Sequence, residues 1–177
     1  GLNLVTKPFE VANGGFEADN TDFGAGDPPT GWLQYPVEGV SKNLVANGTP
    51  VYNASTGLED ANVPFQAYAG TKATKIYGQN YYDGGVWVGP SQTGVVYQEW
   101  PLDGTAEMSP GQAIHARGVA KVFAIDPLSG GSTFNFGLRY MDAANVQVGT
   151  DEVTTITASN DVPDRWVDLL VNGTIPV

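Results

Sequence analysis

The fold class is decided by one stretch of the sequence, Thr133-Phe-Asn-Phe-Gly-Leu-Arg-Tyr-Met141. Apolar and polar residues alternate along it with a period of two. One face carries Phe134, Phe136, Leu138 and Tyr140, and the other carries Asn135, Gly137 and Arg139. Because successive side chains of a strand point to opposite sides, this pattern predicts a β-strand with one buried face.

Similar signals recur along the rest of the chain. Residues 113–125 form a second long strand candidate, and short runs rich in Val, Ile, Thr, Tyr and Phe lie between clusters of Gly, Pro, Asn, Asp and Ser. No window keeps a helical apolar period without an intervening Gly or Pro. The further predicted strands are 32–35, 50–53, 73–77, 94–100, 152–158 and 165–171. The sequence therefore predicts an all-β, antiparallel fold of about eight strands.

Four connecting stretches complete this prediction. Residues 126–131 and 141–145 have the composition of hairpin turns. Residues 17–31 and 77–93 look too irregular for strands, and long irregular connections usually carry function. We therefore expect the two long stretches to be functional loops.

Composition narrows the classes of function. The chain has 177 residues, no Cys, and a formal charge of −11 from 8 basic and 19 acidic residues. The charge argues against nucleic-acid binding, which needs a basic surface, and no apolar run is long enough to span a membrane. The lack of Cys excludes thiol catalysis, thiolate zinc sites and disulfides. The length predicts a single domain over residues 1–177, and position 1 is not Met, which suggests a processed or trimmed start.

Several short motifs, in order, resemble a known family. Asn13-Gly-Gly-Phe-Glu17 followed by Pro28-Pro-Thr-Gly-Trp32 resembles the N-x-G-F-E … G-W opening of the jelly-roll carbohydrate-binding modules of secreted glycanases. The other matching segments are Ala69-Gly-Thr-Lys-Ala-Thr-Lys-Ile-Tyr77, Val95-Val-Tyr-Gln-Glu-Trp-Pro-Leu102, Ser109 to Gly118, Phe136 to Asp142 and Arg165 to Thr174. The resemblance covers nearly the whole chain. It implies a jelly-roll β-sandwich and a secreted or cell-surface location.

The resemblance breaks down at the C-terminal end. The family pattern continues into one or two further strands, whereas this sequence stops at Val177 after Ile175-Pro-Val. We expect one of three explanations: a fragment of a longer chain, a different strand order, or a strand supplied by a neighbouring copy. Residues 1–12 precede the family-like opening and are a candidate donor strand.

An acidic stretch near the N-terminus is a candidate metal site. Calcium takes six to eight oxygen ligands, and Glu17, Asp19, Asn20, Asp22 and Asp27 lie within 11 residues. The resemblance implies a structural Ca²⁺ held by Glu17 and by carbonyls near the start of the Gly70-Thr71-Lys72 strand. The predicted metal site is therefore Glu17, Asp19, Asp22 and Lys72. The alternative is a solvated acidic turn.

Two sets of residues are candidates for glycan binding. The segment 77–92 offers Tyr81, Tyr82 and Trp87 as flat surfaces for the C–H faces of sugars, with amides and carboxylates nearby; these aromatics could instead cap the core. Arg117, Asn135 and Arg139 lie on the outward faces of the two longest predicted strands. If those strands are neighbours, their basic residues share one face, which would suit an anionic glycan; the favoured alternative is ordinary cross-strand pairing with the many carboxylates.

The sequence favours a binding module over an enzyme. His115 is the only His, no G-x-S-x-G nucleophile motif is present, and nothing singles out a catalytic pair among the 19 acids. The predicted function is non-catalytic, extracellular binding of a polysaccharide. The alternative is an extracellular structural or filament subunit that assembles by β-strand donation between copies.

Overall fold

A computed structural model describes residues 11–12, 14–18, 29–35, 41–77, 81–83, 86–88, 95–100, 108–128 and 131–177. Within these residues all regular structure is β, every strand pair is antiparallel, and no helix occurs. The predicted all-β class is thereby confirmed. None of the same residues belongs to a helix long and apolar enough to cross a membrane.

Twelve strands lie within the described residues, against the eight expected. In chain order they are β1 (Leu33–Tyr35), β2 (Ser41–Ala46), β3 (Pro50–Asn53), β4 (Leu58–Pro64), β5 (Lys72–Tyr77), β6 (Tyr81–Asp83), β7 (Val86–Val88), β8 (Val95–Tyr97), β9 (Ala113–Lys121), β10 (Thr133–Leu138), β11 (Glu152–Thr157) and β12 (Trp166–Thr174). All eight predicted strands are present, but β8, β9 and β10 are three or four residues shorter than predicted, and β12 ends three residues later than predicted.

The chain divides into two compact units. The first comprises Gly1–Thr49 and Phe65–Glu99, and the second comprises Pro50–Pro64 and Trp100–Val177. In the first unit the described ladders are β1 with β8, β2 with β5, and β6 with β7. In the second they are β3 with β4, β9 with β12, and β10 with β11. Each ladder joins two strands, and we call each pair a ribbon.

The second unit has the clearest core. The β9–β12 ribbon runs through nine register pairs, from Trp166 opposite Lys121 to Thr174 opposite Ala113. Its inner face includes Leu169, which is 1% exposed, and Val171, which is 4% exposed. The β10–β11 ribbon contributes Ile156, which is opposite Phe134 and 4% exposed.

Two glycines let these ribbons pack face to face. A Cβ on Gly118 of β9 would lie 3.0 Å from Cε2 of Phe136 on β10, and a Cβ on Gly173 of β12 would meet the Tyr140 hydroxyl. Thr154 of β11 donates its hydroxyl to the carbonyl oxygen of Leu170 at 2.5 Å. The alternation predicted for residues 133–141 is confirmed, since Phe134, Phe136 and Leu138 are half-buried and their neighbours are exposed.

Two predictions about connections were wrong. Residues 126–131 do not close a hairpin, because β9 pairs with β12 and β10 pairs with β11. Because Gly118 has no side chain, the ring of Phe136 can pack against β9, and β10 faces β9 instead of pairing with it in one sheet.

The second wrong prediction concerns residues 77–93. They contain the β6–β7 hairpin, whose three-residue strands are too short to show alternation. The turn at 141–145 is confirmed, because Asp142 N donates to Val146 O at 2.9 Å between β10 and β11.

Candidate functional site

The side chain of Glu17 is bound to the turn that precedes β5. Its Oε1 accepts hydrogen bonds from the backbone N–H groups of Thr71 at 2.7 Å and Lys72 at 2.8 Å. Its Oε2 accepts from the Thr71 hydroxyl at 2.7 Å. These bonds, that of the Thr71 hydroxyl above all, lower the pKa of Glu17 below its usual value of 4.5. The carboxylate therefore ties the N-terminal motif to a segment more than 50 residues away.

Gly70 makes room for this carboxylate. Its φ is +69°, in the left-handed region that disfavours side chains, and a Cβ at this position would collide with Oε1 of Glu17. Asn47 holds the same turn from another direction. Its Oδ1 accepts from Ala67 N at 2.6 Å, and its backbone N donates to Thr71 O at 2.8 Å. The turn is thus organised by one side chain from each of two distant segments.

The two halves of the family-like opening lie together. The ring centroids of Phe16 and Trp32 are 5.3 Å apart at an interplanar angle of 38°. Ala12, which precedes the Phe16 motif in the chain, is bound by the side chain of Gln98. Oε1 of Gln98 accepts from Ala12 N at 3.2 Å, and Nε2 donates to Ala12 O at 2.5 Å. Of the candidate donor strand 1–12, the described residues are Val11 and Ala12, and Ala12 is held here by its own chain.

The predicted metal residues fall into two groups. Glu17 and Lys72 are brought together, but Lys72 meets the carboxylate with a backbone N–H, and the carbonyl of Thr71 accepts from Asn47. Asp19 and Asp22 lie outside the described residues. Within the described part of the chain, no three His, Cys, Asp or Glu residues are grouped so as to hold a metal ion. Calcium stays a prediction that depends on Asp19 and Asp22.

The predicted aromatic site falls on the β6–β7 hairpin. The register places Tyr82 opposite Trp87 and Tyr81 opposite Val88. Since facing positions of an antiparallel pair belong to the same face of the ribbon, this register assigns positions 82 and 87 to one face and position 81 to the other. The sequence carried a signal for this hairpin, because the two residues between the strands are Gly84-Gly85, a preferred hairpin-loop pair.

Arg139 forms a two-point ion pair with Asp151 in the second unit. Its Nε donates to Oδ1 of Asp151 at 2.8 Å and its Nη2 donates to Oδ2 at 2.6 Å, a two-point pairing of guanidinium and carboxylate. The pair raises the pKa of Arg139 and lowers that of Asp151. Gln147 adds a hydrogen bond from Nε2 to Oδ1 of Asp151 at 3.1 Å.

The other two predicted polar residues also have cross-strand partners. Asn135 Oδ1 accepts from the Thr155 hydroxyl at 2.7 Å, directly across the β10–β11 ribbon. Arg117 Nη2 donates to Asp168 Oδ1 at 2.8 Å on the β9–β12 ribbon. Sequence reasoning did not identify Asp151, Thr155 or Asp168, because strand register decides which residues face one another.

The structure brings Asn135 and Arg139 onto one surface but not Arg117. Asn135 and Arg139 lie on the outer face of the β10–β11 ribbon, on either side of Gly137. Arg117 lies on the outer face of the opposite ribbon, since the neighbouring Gly118 faces Phe136. The two strands are not neighbours in one sheet, so the condition for a shared basic face is not met, and Arg117 and Arg139 instead pair with carboxylates across their own ribbons.

No family model, no curated protein and no solved structure matches the chain. The resemblance to carbohydrate-binding modules accordingly depends on the sequence motifs alone.

Proposed function

We propose that this protein is a non-catalytic, extracellular module that binds a polysaccharide. The observation that carries the proposal is the register of the β6–β7 hairpin, which sets Tyr82 opposite Trp87. Sugars present apolar C–H faces, and a pair of aromatic residues on one face of a ribbon is suited to stack against them. Gln79, Asn80, Asp83 and Gln92 provide polar groups close by in the sequence.

The contacts of the N-terminal motifs support a jelly-roll sandwich as the fold. Phe16 packs with Trp32, and Glu17 reaches Thr71, so three family-like segments meet in the first unit. In the second unit, two ribbons pack through apolar inner faces, as the layers of a sandwich do. These contacts are consistent with the predicted architecture.

Titration calorimetry with a panel of soluble polysaccharides tests the function. We expect Trp87→Ala and Tyr82→Ala each to weaken binding about tenfold, because each removes a large apolar contact from the sugar face. Tyr81→Ala is the matched control, since by strand alternation position 81 belongs to the opposite face from position 82. Equal affinities for all three variants and the parent would contradict the aromatic site, and heat from no polysaccharide would refute the function.

Two further measurements separate this function from its rivals. A reducing-sugar assay on every polysaccharide that binds should show no hydrolysis. Strand donation between copies stays the alternative function, and light scattering after gel filtration distinguishes it, because a donating chain would form oligomers that grow with concentration.

A further inference from the structure

The outer face of the β10–β11 ribbon carries a second arrangement of groups suited to a sugar. We call it the outer strip and define it by three cross-strand pairs: Asn135 with Thr155, Gly137 with Val153, and Arg139 with Asp151. All six residues belong to the second unit. The four residue-to-residue steps from Asn135 to Arg139 span about 13 Å along an extended strand.

The middle of the outer strip is a shallow apolar floor. Gly137 has no side chain, and Cγ1 of Val153 lies only 2.6 Å from where a Cβ of residue 137 would be. Val153 therefore leans across the glycine, and it remains 49% exposed. The floor offers methyl groups to the apolar face of a ring, with polar side chains on both sides.

The two ends of the strip hold hydrogen-bonding groups in fixed positions. Asp151 accepts hydrogen bonds from both Arg139 and Gln147, so these contacts hold its carboxylate and the guanidinium in position. Nη1 of Arg139 carries two further N–H groups beyond those given to Asp151. At the other end, the Thr155 hydroxyl donates to Asn135 Oδ1, which orients the Asn135 amide group. Adjacent donors and acceptors of this kind match the neighbouring hydroxyls of a sugar.

The charges of the strip indicate which sugar. Arg139 and Asp151 cancel, and the other four residues are uncharged, so the strip has no net charge. The chain as a whole carries −11, which repels polyanions. An anionic glycan would have to compete with Asp151 for the guanidinium, whereas a hydroxyl can use the pair as it stands.

We propose that the outer strip is a subsite for an uncharged sugar ring, seated on Val153 between the Asn135–Thr155 and Arg139–Asp151 pairs. This inference rests on the proposed function and specifies the substrate class as a neutral polysaccharide. It is independent of the aromatic pair on the β6–β7 hairpin.

The test compares matched variants of the two ribbons by calorimetry. Arg139→Lys keeps the charge but loses the two-point pairing, and we expect it to weaken binding of a neutral polysaccharide such as dextran, mannan or xylan about tenfold. Arg117→Lys makes the same change in the Arg117–Asp168 pair of the other ribbon and should leave the affinity within about twofold of the parent. Val153→Gln should also weaken binding, and Leu170→Gln, an exposed apolar position on β12, should not.

The possible outcomes separate the two proposals. Parental affinity in both Arg139→Lys and Val153→Gln would overturn the subsite while leaving polysaccharide binding intact. Binding of polygalacturonate or alginate but of no neutral glycan would overturn the substrate class and keep the function. Binding of no glycan of either kind would refute the proposed function, and this inference with it. Thermal unfolding of each variant confirms that the fold is retained.

Discussion

At the level of single residues, Glu17 is the most informative side chain. Its pKa is lowered in the folded protein, so folding favours the carboxylate, and its stabilisation is present above its usual pKa of 4.5 and lost as the pH falls through the folded value. We expect Glu17→Gln to unfold at a lower temperature than the parent at pH 7, since the amide has no negative charge and its nitrogen, in place of Oε2, cannot accept from the Thr71 hydroxyl. The difference should shrink as the pH falls below 4.5, and differential scanning calorimetry across pH measures it.

A temperature difference that is independent of pH would contradict this account of Glu17. The same scans test the calcium prediction when they are repeated with Ca²⁺ and with a chelator. If Ca²⁺ raises the unfolding temperature of the parent but not that of Glu17→Gln, a cation is bound at this carboxylate. Equal unfolding temperatures with and without Ca²⁺ in the parent would reject the cation and leave the hydrogen bonds as the full role of Glu17.

A comparison of Gly70 with Gly48 distinguishes the free-energy cost of backbone strain from the cost of a collision with Glu17. Both have positive φ, +69° and +89°, but a Cβ on Gly48 meets nothing within 4 Å. We expect Gly48→Ala to cost about 1 kcal/mol of unfolding free energy from strain alone. Gly70→Ala should cost about 2 kcal/mol or more, because the methyl group also displaces the carboxylate.

Urea unfolding of the two alanine variants, alone and combined with Glu17→Ala, measures both costs. In the Glu17→Ala background the excess cost at Gly70 should vanish, since the colliding carboxylate is gone. Equal costs at the two glycines in the parent would show that the turn shifts freely and that Glu17 is not held against it.

At the level of elements, the contact between the two ribbons of the second unit depends on Gly118. A Cβ there would lie 3.0 and 3.2 Å from two ring carbons of Phe136. We expect Gly118→Val to cost about 1–3 kcal/mol of unfolding free energy by overpacking this contact. Phe136→Leu should recover part of the loss in the double variant, and urea unfolding measures the coupling. Strictly additive losses would mean that residues 118 and 136 do not press on each other.

The elements also show how far the sequence predicts this fold. Alternation along residues 133–141 correctly assigned Asn135 and Arg139 to the outer face and Phe136 to the inner face, because a period of two follows from strand geometry. Their partners Asp151 and Thr155 could not be predicted from the sequence, because the pairing depends on the register with a strand more than ten residues away. The β6–β7 hairpin was missed because its strands are three residues long.

At the level of the whole molecule, the order of the strands was the least predictable feature. The connection 126–131 has the composition of a hairpin turn, yet it leads from one ribbon to the facing one. Local composition marks where the chain turns but not which strand it pairs with afterwards. Pairing is decided by packing such as that of Phe136 over Gly118, which joins distant parts of the sequence.

The large acidic excess has a more specific meaning once the contacts are known. The chain has 8 basic residues, and two of its three arginines, Arg117 and Arg139, are tied to aspartates. Pairing of this kind leaves a surface that repels anions while keeping hydrogen-bond donors in place. Acidity and glycan binding are therefore compatible, provided that the glycan is uncharged.

The long β9–β12 ribbon gives the second unit a direction-dependent mechanical strength. Its strands are antiparallel, with Ala113 opposite Thr174 at one end and Lys121 opposite Trp166 at the other. A force that separates Ala113 from Thr174 loads the inter-strand hydrogen bonds one pair at a time, starting from that end of the ribbon. A force along the strands, applied at Ala113 and Trp166 at opposite ends of the ribbon, loads all the inter-strand hydrogen bonds in shear at the same time. The same ribbon is therefore weak to peeling and strong to pulling along its length.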